Sequence, residues 1–301
     1  MTPGALLCVT LAAATDGWHN SQAYDHFYNL DYDRALELLE TDGAADAHHQ
    51  NHLAYAVLYR ALYRGGALDS SLATATGSFL KRPKVPMPPD DQKRFQTALE
   101  RSIALSKARI AKNPQDPDAL YTLGVAHIHR ANYEIFVNRS WRAALKDATE
   151  ARHLHQQVAK LDPKNIDALL VPSTHDYIIG SLPWYARAIG FLAGFRGDKE
   201  GGLKGIERVA REGQRTRVEA QVLLALAHRR GQNPAEAARV LRQLVDRFPR
   251  NYLYRMEMTN ALADAKRFDV ARREAQSLRG YANLKPERYQ AFRTRLDQRL
   301  P

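Results

Sequence analysis

The chain has almost no cysteine. Its 301 residues include one, Cys8, which excludes an internal disulfide and any cysteine-based zinc site. Valine and isoleucine are scarce and seldom alternate with polar residues, so strands are poorly supported and an all-helical chain is expected. Catalytic signatures are also missing. Gly197 and Gly201-Gly202 precede no lysine-serine pair, so there is no phosphate-binding loop. No serine or cysteine sits in a nucleophile elbow, and no HExxH accompanies the 11 histidines. His127 with His129, and His153 with His155, are two positions apart, about 200° around a helix, and cannot share an ion. Only His48 and His52 stand one helical turn apart, with His49 beside them. No enzyme activity, metal or cofactor is therefore expected.

Basic residues are nearly absent from the first fifty positions, where Arg34 stands alone against acids that include Asp31, Asp33, Glu37 and Glu40. Residues 1–195 balance at 20 Lys/Arg and 20 Asp/Glu, whereas residues 196–301 hold 24 and 13, so the whole excess of +11 lies in the last third. Such an end can meet nucleic acid, anionic lipid or an acidic protein. No aromatic residues interleave with the charges as single-strand binding would want, so nucleic acid is disfavoured. The simpler reading is a solvated surface that includes Arg229, Arg230 and Arg239. Anionic-surface binding by this basic third stays open.

Long apolar runs are limited to two. The first, Ala5 to Ala14, ends with Ala12 and Ala14 in the A-x-A arrangement of a signal-peptidase site, although no Lys or Arg precedes it. Residues 1–14 are expected to be a signal peptide of an exported bacterial protein, periplasmic or secreted. The other reading is an apolar first helix of a cytoplasmic protein. The second run, YIIGSLPWYARAIGFLAGF from Tyr177 to Phe195, is interrupted by Pro183, Arg187 and several glycine or polar residues, which argues against a membrane span. A short helical hairpin is expected, anchored by Trp184, Tyr185, Phe191 and Phe195. It would lie in a groove or over an edge and keep Trp184 buried, with a partner or peripheral membrane contact as the alternative.

What is present is repetition. In PDALYTLGVAHIHRA, Leu120, Leu123, Gly124 and His127 share one helical face. The same design returns in residues 218–251, with Leu224, Ala225 and His228 in the corresponding places and a second helix carrying Ala237, Leu241 and Leu244 before Pro249. It recurs 34 residues later with Met258, Thr259 and Leu262, then Ala271, Ala275 and Leu278. A fixed period of paired helices marks a helical repeat. Gly124 costs its helix about 1 kcal/mol relative to alanine, so a close helix contact is expected there.

These units resemble the tetratricopeptide repeat family. The resemblance is clear over about residues 114–285 and weaker back to about residue 20. It implies an all-α fold of helix-turn-helix repeats stacked into a right-handed superhelix with a concave inner face. The layout expected is divergent helical repeats over 18–112 with a long loop at 66–91, repeats over 113–176, the apolar insertion at 177–197, repeats over 198–285 and a capping helix at 286–301. The resemblance also implies a non-catalytic scaffold with a protein or peptide partner. Its concave positions fall on Tyr121, Val125 and Ile128, on Leu170 and Thr174, on Val222, Leu226 and Arg229, and on Leu253, Met256 and Asn260. Chaperone-docking members of the family clamp a terminal carboxylate with lysines and asparagines there. The largely apolar set here suits a helix or peptide instead. A small-ligand or enzymatic site near His175, Asp176 and Trp184 stays open as the alternative.

Overall fold

The computed structural model describes residues 21–42, 46–68, 83–185 and 196–300. The expected signal peptide at 1–14, positions 69–82 of the long loop, and Phe191 and Phe195 lie outside the described residues.

Among the described residues the fold is all-α, with no strand. The helices are α1 (Gln22–Tyr28), α2 (Tyr32–Asp42), α3 (Ala47–Arg64), α4 (Pro89–Lys112), α5 (Pro117–Tyr133), α6 (Trp141–Leu161), α7 (Leu170–Gly180), α8 (Lys199–Glu212), α9 (Arg217–Arg230), α10 (Pro234–Arg247), α11 (Tyr252–Asp264), α12 (Phe268–Ser277) and α13 (Pro286–Asp297). Each packs on the next along the chain as far as α12, and α13 packs on α11, as a stack of helix pairs requires.

Helix starts follow local chemistry. Ser21, Asp46, Asp116, Asp198 and Asn251 each accept a backbone N–H of the first turn through the side chain. Pro89, Pro117, Pro234 and Pro286 occupy first helical positions, where a missing N–H costs nothing. The turns inside the pairs are copies of one another. Leu30, Gly66, Gln232 and Lys266 all have positive φ, at 67°, 70°, 59° and 58°. The residue after each donates its N–H five residues back, from Asp31 to His26, Ala67 to Leu62, Asn233 to His228 and Arg267 to Leu262. This shared turn makes α1–α2 a unit of the same kind as α9–α10 and α11–α12, although these three use no glycine, and the same turn ends α3, with α4 beginning only at Pro89.

Gly124 sits where α5 meets α6: a Cβ there would lie 2.9 Å from His155 Nε2. The close contact expected at this position is therefore present, and a buried imidazole makes it. Gly202 brings α8 still closer to α7, since a Cβ would be 2.4 Å from the Tyr177 backbone nitrogen. The extra residues between α5 and α6 are absorbed by a π-helical turn, Glu134–Asn138, followed by Arg139 at φ 61°. The long loop is shorter than expected. Residues 89–91 already belong to α4, and Val85 and Met87 are buried, with Val85 N–H donating to Phe136 O at 2.9 Å.

The stack also meets itself. Asn251 Nδ2 donates to Tyr28 O at 2.7 Å, and Arg250 N–H donates to Asn29 Oδ1 at 2.9 Å. Tyr28 stacks on Phe248 with ring centroids 5.1 Å apart. Tyr252 Oη lies 3.2 Å from Tyr63 Oη. The first two units thus touch α10 and α11, and the concave face is walled rather than open.

Candidate functional site

The walls border a partly open cavity of about 790 Å³. Its lining comes mainly from the first helices of successive pairs, α1, α3, α5, α7, α9 and α11, because these carry apolar residues on the face opposite their second helices. Tyr121, Val125 and Ile128 of α5 line it, as do Leu170 and Thr174 of α7, Val222, Leu226 and Arg229 of α9, and Leu253 of α11. Met256 and Asn260 do not line it. They are buried in the core at 3% and 6% exposure, and Asn260 Oδ1 accepts a hydrogen bond from Arg299. The helical phase inferred for α11 is off by part of a turn, and Tyr254 and Glu257 take the lining positions instead.

Arg229 is not a solvated surface charge. Its side chain is 8% exposed and pairs with Glu257 at 2.8 Å and Asp264 at 3.0 Å, tying α9 to α11. Two of the expected anchors of the insertion, Trp184 and Tyr185, depart from expectation. Trp184 is 75% exposed and Tyr185 58%, their rings meet each other edge to face, and neither lines the cavity. Among the described residues, α1 and α3 contribute Phe27, Tyr28, Tyr55 and Tyr59 to the lining. His175 lines the cavity and hydrogen-bonds Asp176 at 3.1 Å, while Arg152 approaches Asp176 at 3.6 Å. His175, Asp176 and Trp184 therefore do not converge on the cavity.

The sequence reading missed the polar centre of this site. Glu219, in the first turn of α9, turns its side chain to the cavity, and its Oε1 accepts the hydroxyls of Tyr28 and, at 3.0 Å, Tyr55. Oε2 is out of reach of solvent and has no hydrogen-bond partner. Burial raises the carboxyl's pKa above its ordinary value, and the two hydroxyls offset part of that rise by stabilising the anion. Phe27, Tyr55 and Tyr59 form one aromatic cluster around it, with the Tyr55 ring centroid 4.6 Å from Phe27 and 4.3 Å from Tyr59. Burial pushes the Tyr59 hydroxyl up to about 12, and the Glu219 charge adds to the shift. On the other side of Tyr55, His129 stacks at 4.8 Å. Its Nδ1 is buried without a partner, and burial lowers the ring's pKa to about 4, so it is neutral at pH 7. The spacing of Tyr55, Tyr59 and Tyr63 along one helical face was the available sequence signal for this wall.

The frame around the centre is fixed by hydrogen bonds. Asp167 is 6% exposed and accepts the backbone N–H groups of Gln214, Arg215 and Thr216 and the Thr216 hydroxyl, all at 2.8–3.0 Å. That anchors the start of α9 to the turn before α7. Arg215 then reaches Asp118 at 3.1 Å, with its guanidinium 5.1 Å over the Tyr121 ring. Among the described residues no cluster of three or more His, Cys, Asp or Glu side chains could hold a metal ion, and no helix is long and apolar enough to cross a membrane.

Compared with known proteins, residues 219–251 match the model of the tetratricopeptide repeat family. This stretch is similar to a tetratricopeptide unit. It covers α9 from Glu219 onward and α10, and ends at the Asn251 cap of α11. No curated protein sequence matches the chain. Among solved structures, one titled as the crystal structure of the yeast Tom70 is 12% identical over 94% of this chain and 83% of that one, with a TM-score of 0.29. The tetratricopeptide-type unit and the copied turns together support a helical-repeat fold of the protein-interaction kind.

Proposed function

We propose that the chain is a non-catalytic scaffold that takes a short segment of a protein partner into its walled concave cavity. The observation that carries this reading is the cavity itself, with apolar and aromatic walls drawn from successive repeat helices. Cavities of roughly 300–1,000 Å³ suit small ligands and short segments. At about 790 Å³ this cavity falls in that range, and a short helix or peptide segment of a partner fits it.

A second contact surface is favoured by Trp184 and Tyr185, two large aromatic residues exposed side by side. Export, resting on residues 1–14, belongs to the proposal as well, and the mature chain would then begin at Thr15.

The test is site-specific photo-crosslinking in the native cell. Probes at Val125 and Leu226, which line the cavity, should capture the same protein. A probe at the exposed Arg208 of α8 should capture none. Capture from Trp184 alone would move the contact to the insertion and refute the cavity reading.

A further inference from the structure

Glu219 presents an unusual balance of interactions. One carboxylate oxygen is doubly hydrogen-bonded by Tyr28 and Tyr55, while the other, Oε2, is withdrawn from water and bonded to nothing. An ionised carboxylate in such a place is strongly disfavoured unless a cation meets it. The cavity's own cations are engaged elsewhere. Arg215 pairs with Asp118, and Arg229 with Glu257 and Asp264. His129, on the far face of Tyr55, is neutral and leaves a second unpartnered nitrogen in the lining. The surrounding surface is aromatic and then aliphatic, which suits a cation on an apolar stem: ring faces attract a positive charge, and Val222 and Leu226 provide the apolar wall.

We propose that this cavity binds an alkylammonium group, with Glu219 as its counter-ion and the tyrosines around Glu219 as its cage. The inference rests on the cavity being a binding site, as argued above, and adds the chemistry that it selects. Oε2 is shielded in this structure, so binding includes a rotation of the Glu219 carboxyl that turns this oxygen to the cavity, where it and neighbouring hydroxyl oxygens meet the three N–H donors of an ammonium. The group can be carried by a lysine side chain of a bound segment or by a free amine. The chemistry is the same, and the test separates the two.

Isothermal titration of the full chain would use two matched pairs of probes. n-Hexylamine is compared with 1-hexanol, and the peptide acetyl-Leu-Lys-Leu-amide with the same peptide carrying norleucine in place of lysine. The expected result is that at least one ammonium probe binds tenfold or more tighter than its neutral counterpart, and that Glu219→Gln removes that preference. The pair showing the larger preference names the source. Equal binding within both pairs, no binding of either ammonium probe, or a preference unchanged in Glu219→Gln would overturn the proposal. The comparison within each pair uses the unmodified protein, so it stands even if Glu219→Gln fails to fold. Partner capture from Leu226 together with no ammonium preference would leave the scaffold reading standing and remove only this one.

Discussion

Acid should weaken this fold well before its carboxylates protonate. His129 and His155 are buried, at 7% and 2% exposure, and burial lowers both imidazoles to about 4. An unfolded histidine titrates near 6.5, and each unit of difference corresponds to about 1.36 kcal/mol. Between those values the folded chain binds fewer protons than the unfolded chain. The stability linked to each ring is therefore fully present above pH 6.5 and is lost as the pH falls towards 4. A window of about 2.5 units gives roughly 3 kcal/mol per ring, a large share of a typical total of about 5–15 kcal/mol. Glu219 works in the opposite direction. Its raised pKa means that its share is present below the ordinary carboxylate value and lost as pH rises through the folded one. Asp118 and Asp147, whose pKa values are lowered, hold their contributions above the ordinary carboxylate value and lose them only below it. Urea unfolding followed by circular dichroism at pH 7.5, 6.0 and 5.0 would show the loss, and His129→Gln/His155→Gln should flatten it. A wild-type stability level from pH 7.5 to 5.0, or an undiminished slope in the double variant, would refute the reasoning.

Three other outcomes follow from named contacts. Gly124→Leu should destabilise by about 1–3 kcal/mol in urea titration, because the new side chain must displace the His155 ring against α6; a raised melting temperature would contradict that packing. Arg229→Ala takes the cation from Glu257, while Asp264 keeps Arg299, and a loss of about 1–3 kcal/mol is expected. A change under about 0.5 kcal/mol, typical of surface charges, would return Arg229 to the solvated face. Trp184→Ala should leave stability within about 0.5 kcal/mol, as befits an exposed side chain. In a chain where Trp18 and Trp141 are phenylalanine, iodide should quench Trp184 freely, and a shielded, blue-shifted emission would be the opposite result.

The repeat was legible wherever helix contacts impose small residues at fixed spacing. Leu224-Ala225 and Met258-Thr259 recur 34 residues apart, and Gly124 marks its own contact. The first unit was harder to read because its turn places Leu30, rather than glycine, in the left-handed region. Most of the positions that the family resemblance makes concave do line the cavity, but Met256 and Asn260 show how a small difference in helical phase moves residues from the cavity to the core. Glu219 could not be read as a site residue. An acid in a first helical turn looks like a partner for the helix dipole, and its burial depends on Tyr28, 191 residues away in the chain. Trp184 misled for a complementary reason. An aromatic residue in an apolar run looks like core, yet this one is 75% exposed and does not line the cavity.

The central claim is that the amino-terminal unit closes against α9 to wall the cavity, and a double-mutant cycle on Tyr28 and Glu219 tests it most directly. Tyr28→Phe removes the donor, Glu219→Leu removes the acceptor, and the stabilities of both single variants and the double variant are measured in urea. Groups in direct hydrogen-bonded contact should show a coupling of about 0.5–3 kcal/mol, whereas separated groups add within roughly 0.3–0.5 kcal/mol. A coupling above about 1 kcal/mol is expected, on the scale of a hydrogen bond to a charged group. Simple additivity would mean that the two ends of the stack do not meet, and the cavity would then lack its wall.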